Sequence, residues 1–175
     1  KLFELMGPVT VEKNFMGARW SKLLINSAFS GLSTVTGMTF GEVAKQKPSR
    51  RVAQNIIKEC IDVAKAAGIV IEPVQGHNIA KLFDYRGAVK KAVSFALIPV
   101  AMKKHSRLIS SMLQDIKNGK KCEIDFINGT VSEYGRKYGV KTPCNDKTVE
   151  IVHEIEAGRF PPRAENIALY GEAGK

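Results

Sequence analysis

The sequence lacks a hydrophobic run long enough to cross a membrane. Its longest apolar stretch, residues 92–102, is shorter than the roughly 20 residues that a membrane-spanning helix needs, and it contains Pro99. Because a proline inside a helix bends it, this stretch is predicted to be a buried, kinked helix of a globular protein. We therefore expect no membrane partner.

Paired cysteines and metal-ligand motifs are also missing. The cysteines Cys60, Cys122 and Cys144 are scattered without a Cys-x-x-Cys pair, and the histidines are far apart in the sequence. This pattern predicts reduced thiols in a cytosolic protein and no metal site. Cys60 lies in a helical pattern and is interpreted as a small buried hydrophobic residue.

The chain has none of the motifs that cradle a nucleotide or activate a serine nucleophile. No strand leads into Gly-x-Gly-x-x-Gly, and there is no Walker motif, Ser-His-Asp set or Gly-x-Ser-x-Gly turn. Nothing in the chain is therefore expected to cradle a dinucleotide by itself.

Acidic residues are too few to balance the basic ones, and the formal net charge is +10. Basic clusters occur at residues 45–51, 103–107 and 117–121, without the interleaved aromatic side chains that stack on bases. They lie at predicted helix ends and turns, where cations interact favourably with the helix dipole. A basic, non-enzymatic helical binding module is one alternative. The same positive charge would also attract anionic small molecules. We therefore expect no nucleic-acid partner.

Strand-type alternation is nearly absent, whereas apolar residues recur every three or four positions along most of the chain. This pattern predicts an all-α, multi-helix bundle. Thr39 and Glu42 form a capping-box signature, and residues 69–73 fit either a brief strand or a loop. The polar tail at residues 159–175 is predicted to be loosely attached. Besides the short helix that Thr39 would cap, helices are predicted at residues 18–33, 48–68, 78–83, 86–102, 106–117, 123–138 and 143–158.

A polar stripe on an otherwise apolar helix is the strongest functional signal in the sequence. At about 100° per residue, Lys22, Asn26, Ser30 and Ser33 fall within roughly an 80° wedge, opposite a set of apolar side chains. One ammonium group, one amide and two hydroxyls in an apolar frame suit a small anionic ligand. The alternative is a helix edge from which Lys22 extends to water.

Three motifs carry a resemblance to a known family: Trp20-Ser-Lys-Leu-Leu-Ile-Asn26, Ser110-Ser-Met-Leu-Gln-Asp-Ile-Lys-Asn-Gly-Lys-Lys-Cys-Glu-Ile-Asp-Phe-Ile-Asn-Gly129 and Gly139-Val-Lys-Thr-Pro-Cys-Asn145. Over most of residues 18–157 the chain resembles the C-terminal domain of ketopantoate reductase (2-dehydropantoate 2-reductase). The resemblance implies a helical bundle of the type found in ketopantoate reductase and 6-phosphogluconate dehydrogenase-like enzymes. It implies a substrate-binding and catalytic domain at residues 14–158. Residues 1–13 would be the tail of an N-terminal Rossmann domain absent from this chain, and a first residue other than methionine fits such a fragment.

The resemblance also implies roles for individual residues. Lys22 takes the position of the catalytic lysine, and Glu123 takes that of the acidic residue near the reacting centre. Asn26 and Ser111 take substrate-binding positions, and Ser30 stands where well-known members have a second substrate asparagine. An ammonium group beside a ketone oxygen can stabilise the negative charge that forms on reduction and can supply the proton.

The implied activity is the NADPH-dependent reduction of ketopantoate to pantoate in pantothenate biosynthesis. NADPH would be bound mainly by the missing domain, so the isolated helical domain is expected to be inactive. Because Ser30 replaces an asparagine and Phe40 replaces a further polar residue, a reductase of a different 2-keto acid is the alternative. The implied partners are the small-molecule substrate and the chain's own Rossmann domain. A homodimer through residues 92–102 is a further candidate, although burial within the monomer is the expected use of that stretch.

Overall fold

The structure is a computed structural model, and it describes residues 12–74 and 76–174. These residues form the all-α bundle that the spacing of apolar residues predicts. Extended strands are absent from these ranges, where a single bridge joins Val74 to His77, so residues 69–73 form a loop. The helices are α1 (Phe15–Ile25), α2 (Gly31–Thr36), α3 (Phe40–Lys45), α4 (Lys47–Ala66), α5 (Ile79–Phe83), α6 (Ala88–Ala101), α7 (Ser111–Lys117), α8 (Ile124–Tyr138) and α9 (Pro143–Glu156).

The 20-residue helix α4 lies at the centre of the bundle and packs against α1, α3, α5, α6, α8 and α9. Its inner face carries apolar residues at three- and four-residue spacing, and Val52, Ile56, Cys60 and Val63 are at most 2% exposed. Burying one aliphatic side chain of this size stabilises a fold by about 1.5–3 kcal/mol. The prediction that Cys60 is a buried hydrophobic residue is confirmed.

Helix ends follow the local signals in the sequence. Gly68 and Gly139 adopt positive φ angles of 71° and 70° just after α4 and α8, a conformation that favours glycine. At the start of α3, Thr39 Oγ1 accepts the N–H of Glu42 at 3.2 Å, and Glu42 Oε2 accepts the N–H of Thr39 at 2.8 Å. The predicted capping box is therefore present.

The stretch predicted to be buried, residues 92–102, is largely exposed on one side. Its helix α6 turns a polar residue inward, because the buried Gln54 Nε2 donates to Ser94 Oγ at 2.7 Å and to the Lys91 carbonyl at 2.6 Å. We call the opposite side the outer face of α6; it consists of Val89, Val93, Leu97 and Val100, which are 38–80% exposed. Within the described residues, no helix is both long and apolar enough to cross a membrane.

The helix predicted for residues 106–117 begins only at Ser111. Before it, the Ser106 carbonyl accepts the N–H of Gly41 at 3.0 Å, which holds this segment against the start of α3. Ser110 Oγ then caps α7 by accepting the N–H of Leu113 at 3.0 Å. Two apolar residues expected in the helix stay exposed instead: Leu108 and Ile109.

The described part of the predicted tail, residues 159–174, is attached more firmly than its polar composition suggests. Its helical segment, Ala164–Gly174, packs against α2, α4 and α9. Asn166 Nδ2 donates to the Val35 carbonyl at 3.0 Å, and both Asn166 and Tyr170 are buried. The buried side chains of Asn166 and Tyr170 hold this segment against the bundle. The polar composition of the tail as a whole does not indicate the effect of two individual residues. Residues 1–13, predicted to be the tail of a nucleotide-binding domain, lie almost wholly outside the described residues.

Candidate functional site

The helix that carries the polar stripe is interrupted by a π-helical turn. This turn spans Asn26–Ser30, between α1 and α2. The N–H of Gly31 donates to the Asn26 carbonyl, five residues back rather than four. The prediction of one continuous α-helix at residues 18–33 is therefore wrong at this point, and the polar residues no longer follow 100° spacing. Single π-turns inside α-helices are frequent at functional sites.

A groove of about 480 Å³ lies between α1 and α8. The two helices are antiparallel, because the rings of Trp20 and Tyr134 meet edge to face at 5.4 Å while Asn128 reaches the Ser27 carbonyl further along. We call it the α1–α8 groove. Its polar lining comes from Arg19, Lys22, Asn26 and Thr130, and its aromatic lining from Phe15, Trp20, Phe126 and Tyr134.

Lys22 and Asn26 lie together on one wall of the α1–α8 groove. Lys22 is exposed and Asn26 is half-buried. Arg19, one helical turn before Lys22, adds a second cation, and its guanidinium carbon lies 5.7 Å from the centre of the Phe15 ring. No carboxylate from the described residues lines the groove. Two cations, an amide and aromatic walls suit a small anion that has an apolar part.

The other half of the polar stripe is buried beside the groove. Ser30 is 8% exposed, and Ser33 is fully buried. Ser33 Oγ donates to the Met38 carbonyl at 2.7 Å and accepts the N–H of Ser110 at 3.3 Å. Its hydroxyl group is therefore used within the fold. The polar stripe therefore has two parts, Lys22 and Asn26 in the groove and Ser30 and Ser33 in the interior. The change occurs within the π-turn.

Ser111 lies beside α2, outside the lining of the α1–α8 groove. It is the exposed first residue of α7. The preceding residue, Ser110, has its Oγ 3.0 Å from Thr34 Oγ1, so the start of α7 lies one turn beyond Ser30. The structure thus places Ser111 nearer to the buried half of the stripe than to Lys22.

Glu123 also lies outside the groove lining, directly before α8. It is exposed and precedes Phe126 by three residues, a spacing that puts both on one side of the helix. Since α1 and α8 are antiparallel, the start of α8 lies beside the π-turn. Glu123 and Ser30 are therefore both located at the end of the groove next to Asn26. No ion pair joins Glu123 to Lys22 among the residues that the structure describes.

Sequence reasoning missed several groove residues. Arg19 precedes Lys22 by three positions and could have been read as the first member of the polar stripe. Phe126, Thr130 and Tyr134 recur every four residues along α8, which is a visible helical pattern. The buried residues of α8, such as Ile124 and Val131, lie on a different face of this helix.

The thiols and histidines form no second reactive centre in the described part of the chain. Cys60 and Cys144 are buried, and burial raises the pKa of Cys122 to about 12, so its thiolate is scarce at neutral pH. His153 Nε2 lies 3.0 Å from Asp125 Oδ1 on the surface. Residues 12–74 and 76–174 hold no group of three or more potential ligands placed to bind a metal.

Comparisons with known proteins agree with this architecture. Residues 14–156 match the family model described as "Ketopantoate reductase PanE/ApbA C terminal". The 2-dehydropantoate 2-reductase of Lactococcus lactis is 31% identical over 141 residues, which cover 78% of this chain and 39% of that protein. The enzyme of the same name from Pyrococcus horikoshii is 27% identical over 77% of this chain and 38% of its own length.

Solved structures show the same likeness. A ketopantoate reductase of the PanE/ApbA family from Ralstonia eutropha superposes with a TM-score of 0.69 at 27% identity, covering 87% of this chain and 45% of that one. A D-mandelate dehydrogenase, solved with NADH and anilino(oxo)acetate, gives 0.65 at 27% identity over 84% of this chain and 43% of its own. The chain spans about two-fifths of the length of the curated relatives it matches. It belongs to the ketopantoate reductase family and corresponds to the C-terminal helical domain of that family.

Proposed function

We propose that this chain is the substrate-binding and catalytic part of an NADPH-dependent 2-dehydropantoate 2-reductase. The observation that carries the proposal is the shared position of Lys22 and Asn26 in the α1–α8 groove. A nucleotide-binding domain of Rossmann type would complete the active site, and without it the helical domain is inactive. The whole enzyme would reduce ketopantoate to pantoate.

The chemistry requires a cation where negative charge develops. As a 2-keto acid is reduced, the ketone oxygen becomes an alkoxide, and the Lys22 ammonium would stabilise this charge and give up a proton to it. Asn26 would donate a hydrogen bond from its amide to a substrate oxygen without adding charge. Hydrogen bonds of this kind fix the orientation in which the ketone faces Lys22.

The remaining residues of the proposed site lie at the end of the groove next to Asn26. Ser30 and Ser111 would bind the substrate's hydroxyl and carboxylate oxygens, and Glu123 would orient the polar groups around the reacting centre. Their positions support this assignment, because the start of α7 packs beside α2 and Glu123 leads into the α8 face that lines the groove.

The groove also suits one part of a nicotinamide cofactor. Phe15, Met16 and Phe126 line it and are 45–80% exposed, which provides apolar surface beside Lys22 for a flat ring. NADPH supplies the hydride when it is bound, and most of its binding groups would belong to the nucleotide domain. The curated relatives reported above are 2-dehydropantoate 2-reductases, which favours ketopantoate over another 2-keto acid and over a non-enzymatic binding role.

The test uses the full-length enzyme in which this chain follows its nucleotide-binding domain. NADPH oxidation is measured with ketopantoate, with benzoylformate as an aromatic 2-keto acid, and with NADH in place of NADPH. We expect the highest kcat/KM for ketopantoate with NADPH, and Lys22→Ala should lower kcat by about 10³-fold. Lys117→Ala, which removes an exposed lysine from α7, is the matched control and should leave kcat unchanged.

Two results would contradict the proposal. A full-length enzyme whose kcat is indifferent to Lys22→Ala has its catalytic cation elsewhere. A kcat/KM for benzoylformate far above that for ketopantoate assigns the enzyme to another 2-keto acid.

The proposal includes a homodimer. A ketopantoate reductase of the same fold from Staphylococcus aureus is described as dimeric. The outer face of α6 is the surface we assign to the contact between two copies, because its valine and leucine side chains are exposed on a helix whose polar residue points inward. Burying such a patch against an identical one removes apolar area from water.

A further inference from the structure

Asn128 is fully buried on α8, and its side chain crosses to the π-turn. Its Nδ2 donates to the Ser27 carbonyl at 3.1 Å and to Asn145 Oδ1 at 3.0 Å. The Asn145 side chain in turn donates to Glu59 Oε2 at 2.7 Å. Glu59, Asn145 and Asn128 thus form a chain of hydrogen bonds from α4 through α9 and α8 to the backbone of the π-turn. We call it the Glu59–Asn128 chain.

The carbonyl at the end of this chain is the one that the π-turn leaves without a helical partner. Gly31 donates to the carbonyl of Asn26, five residues back, and α2 then returns to four-residue bonding. A return from five-residue to four-residue bonding skips one carbonyl, which here is that of Ser27. A buried carbonyl without a donor is costly, so a π-turn at this place needs a donor from elsewhere. Asn128 supplies it.

Gly31 is the residue that lets Asn128 approach. A Cβ at this position would lie 2.8 Å from Asn128 Oδ1 and 3.0 Å from Thr148 Cγ2. Asn128 Oδ1 has no hydrogen-bond partner among the described residues. The approach is therefore too tight for a side chain at position 31.

We propose that the Glu59–Asn128 chain is a positioning device that holds the π-turn and thereby sets where Asn26 and Ser30 stand relative to Lys22. The inference rests on the proposed function, since it takes Asn26 and Ser30 as substrate-binding residues. Lys22 lies in α1, before the π-turn, and is not held by the chain. Loss of Asn128 should therefore weaken substrate binding more than it slows the chemical step.

The key variant is Asn128→Asp in the full-length enzyme, which keeps the shape and removes the donor. We expect KM for the keto acid to rise about tenfold or more, while kcat falls much less. Asn166→Asp is the matched control, because Asn166 is another buried asparagine that donates to a backbone carbonyl, that of Val35 at the far end of α2. It should lower stability without this rise in KM. Adding Asn128→Asp to an enzyme that already carries Asn26→Ala and Ser30→Ala should change KM little further, because both side chains that Asn128 positions are then absent.

Hydrogen exchange of the backbone amides of residues 30–32 gives a readout that needs no activity. Asn128→Asp should make these amides exchange faster than Asn166→Asp does at equal global stability. Equal exchange in the two variants, or an unchanged KM in Asn128→Asp, overturns the positioning role. If the unmodified enzyme reduces no keto acid but exchange at residues 30–32 responds as expected, the proposed function fails and the support of the π-turn by Asn128 stands.

Discussion

Tyr170 in the tail and Thr148 on α9 share a buried hydrogen bond, with 2.8 Å between Tyr170 Oη and Thr148 Oγ1. Thr148 Oγ1 already donates its hydrogen to the Cys144 carbonyl at 2.7 Å, so Tyr170 is the donor to Thr148. Burial raises the pKa of Tyr170, which keeps the phenol protonated and able to donate at any ordinary pH. A ring that is 3% exposed, with its hydroxyl paired, anchors the tail to the bundle.

Removal of this anchor should destabilise the whole domain. We expect Tyr170→Ala to lower the free energy of unfolding by about 3 kcal/mol, because a buried aromatic side chain leaves a cavity. Tyr170→Phe should cost about 1 kcal/mol for the lost hydrogen bond. Urea denaturation followed by circular dichroism measures both changes. Tyr138→Ala is the control, because the Tyr138 side chain is 39% exposed, and it should lower the free energy of unfolding by less. Equal losses of free energy in the two alanine variants would mean that the tail anchor contributes no more than an exposed ring.

Glu123 should matter for catalysis more than its exposure suggests. In the full-length enzyme, we expect Glu123→Gln to lower kcat by about 10²-fold, because in the proposed site this carboxylate would orient polar groups at the reacting centre. Asp125→Asn is the matched control: it changes an exposed carboxylate two residues away, which pairs with His153, and should leave kcat unchanged. Steady-state kinetics at saturating cofactor give the comparison. Equal kcat values for the two variants would remove Glu123 from the proposed site.

Ionisation of Glu59 should make the domain less stable as pH rises. Burial raises the pKa of Glu59 above its ordinary value of 4.5, against the opposing effect of hydrogen bonds from Cys144 and Asn145. The folded state then holds the proton more tightly than the unfolded state. This contribution to the free energy of unfolding is fully present below the unfolded-state pKa and is lost as pH rises through the folded-state pKa. Urea denaturation at a series of pH values should show the decline in the unmodified chain and not in Glu59→Gln.

Glu42 provides a control of opposite sign. Hydrogen bonds from Thr39 lower the pKa of Glu42, so its contribution is present above the unfolded-state pKa and is lost as pH falls. Glu42→Gln should therefore weaken the acid-side dependence and keep the decline due to Glu59. A decline that survives in Glu59→Gln must come from another group.

The outer face of α6 should control association. We expect the full-length enzyme to sediment as a dimer and Val93→Glu to sediment as a monomer, because a charge at the centre of an apolar contact is costly to bury. Val70→Glu is the control, since Val70 is 72% exposed and its carbonyl accepts a hydrogen bond from Asn14, the N-cap of α1. Analytical ultracentrifugation distinguishes the two states. A Val93→Glu protein that stays dimeric would place the contact on another surface.

Local signals in the sequence predicted much of the fold. The helices predicted at residues 48–68 and 123–138 and the capping box at Thr39 depend on neighbouring residues alone, and the structure confirms them. The orientation of α6 was not predictable in this way. Its apolar composition indicates burial, but the need of Gln54 for partners, from a helix far away in the sequence, turns Ser94 inward.

The same difference between local signals and contacts with distant helices applies to the candidate site. Residue types and their spacing were enough to indicate the family: the lysine and the asparagine lie one turn apart, and the motif at residues 110–129 contains Asn128. Tertiary structure decided which of these residues share a groove. A π-turn cannot be read from helical periodicity, because its stability depends on a buried amide that arrives from another helix, as Asn128 does at the Ser27 carbonyl. Backbone hydrogen bonds within one helix are local, whereas the donor for a skipped carbonyl is not.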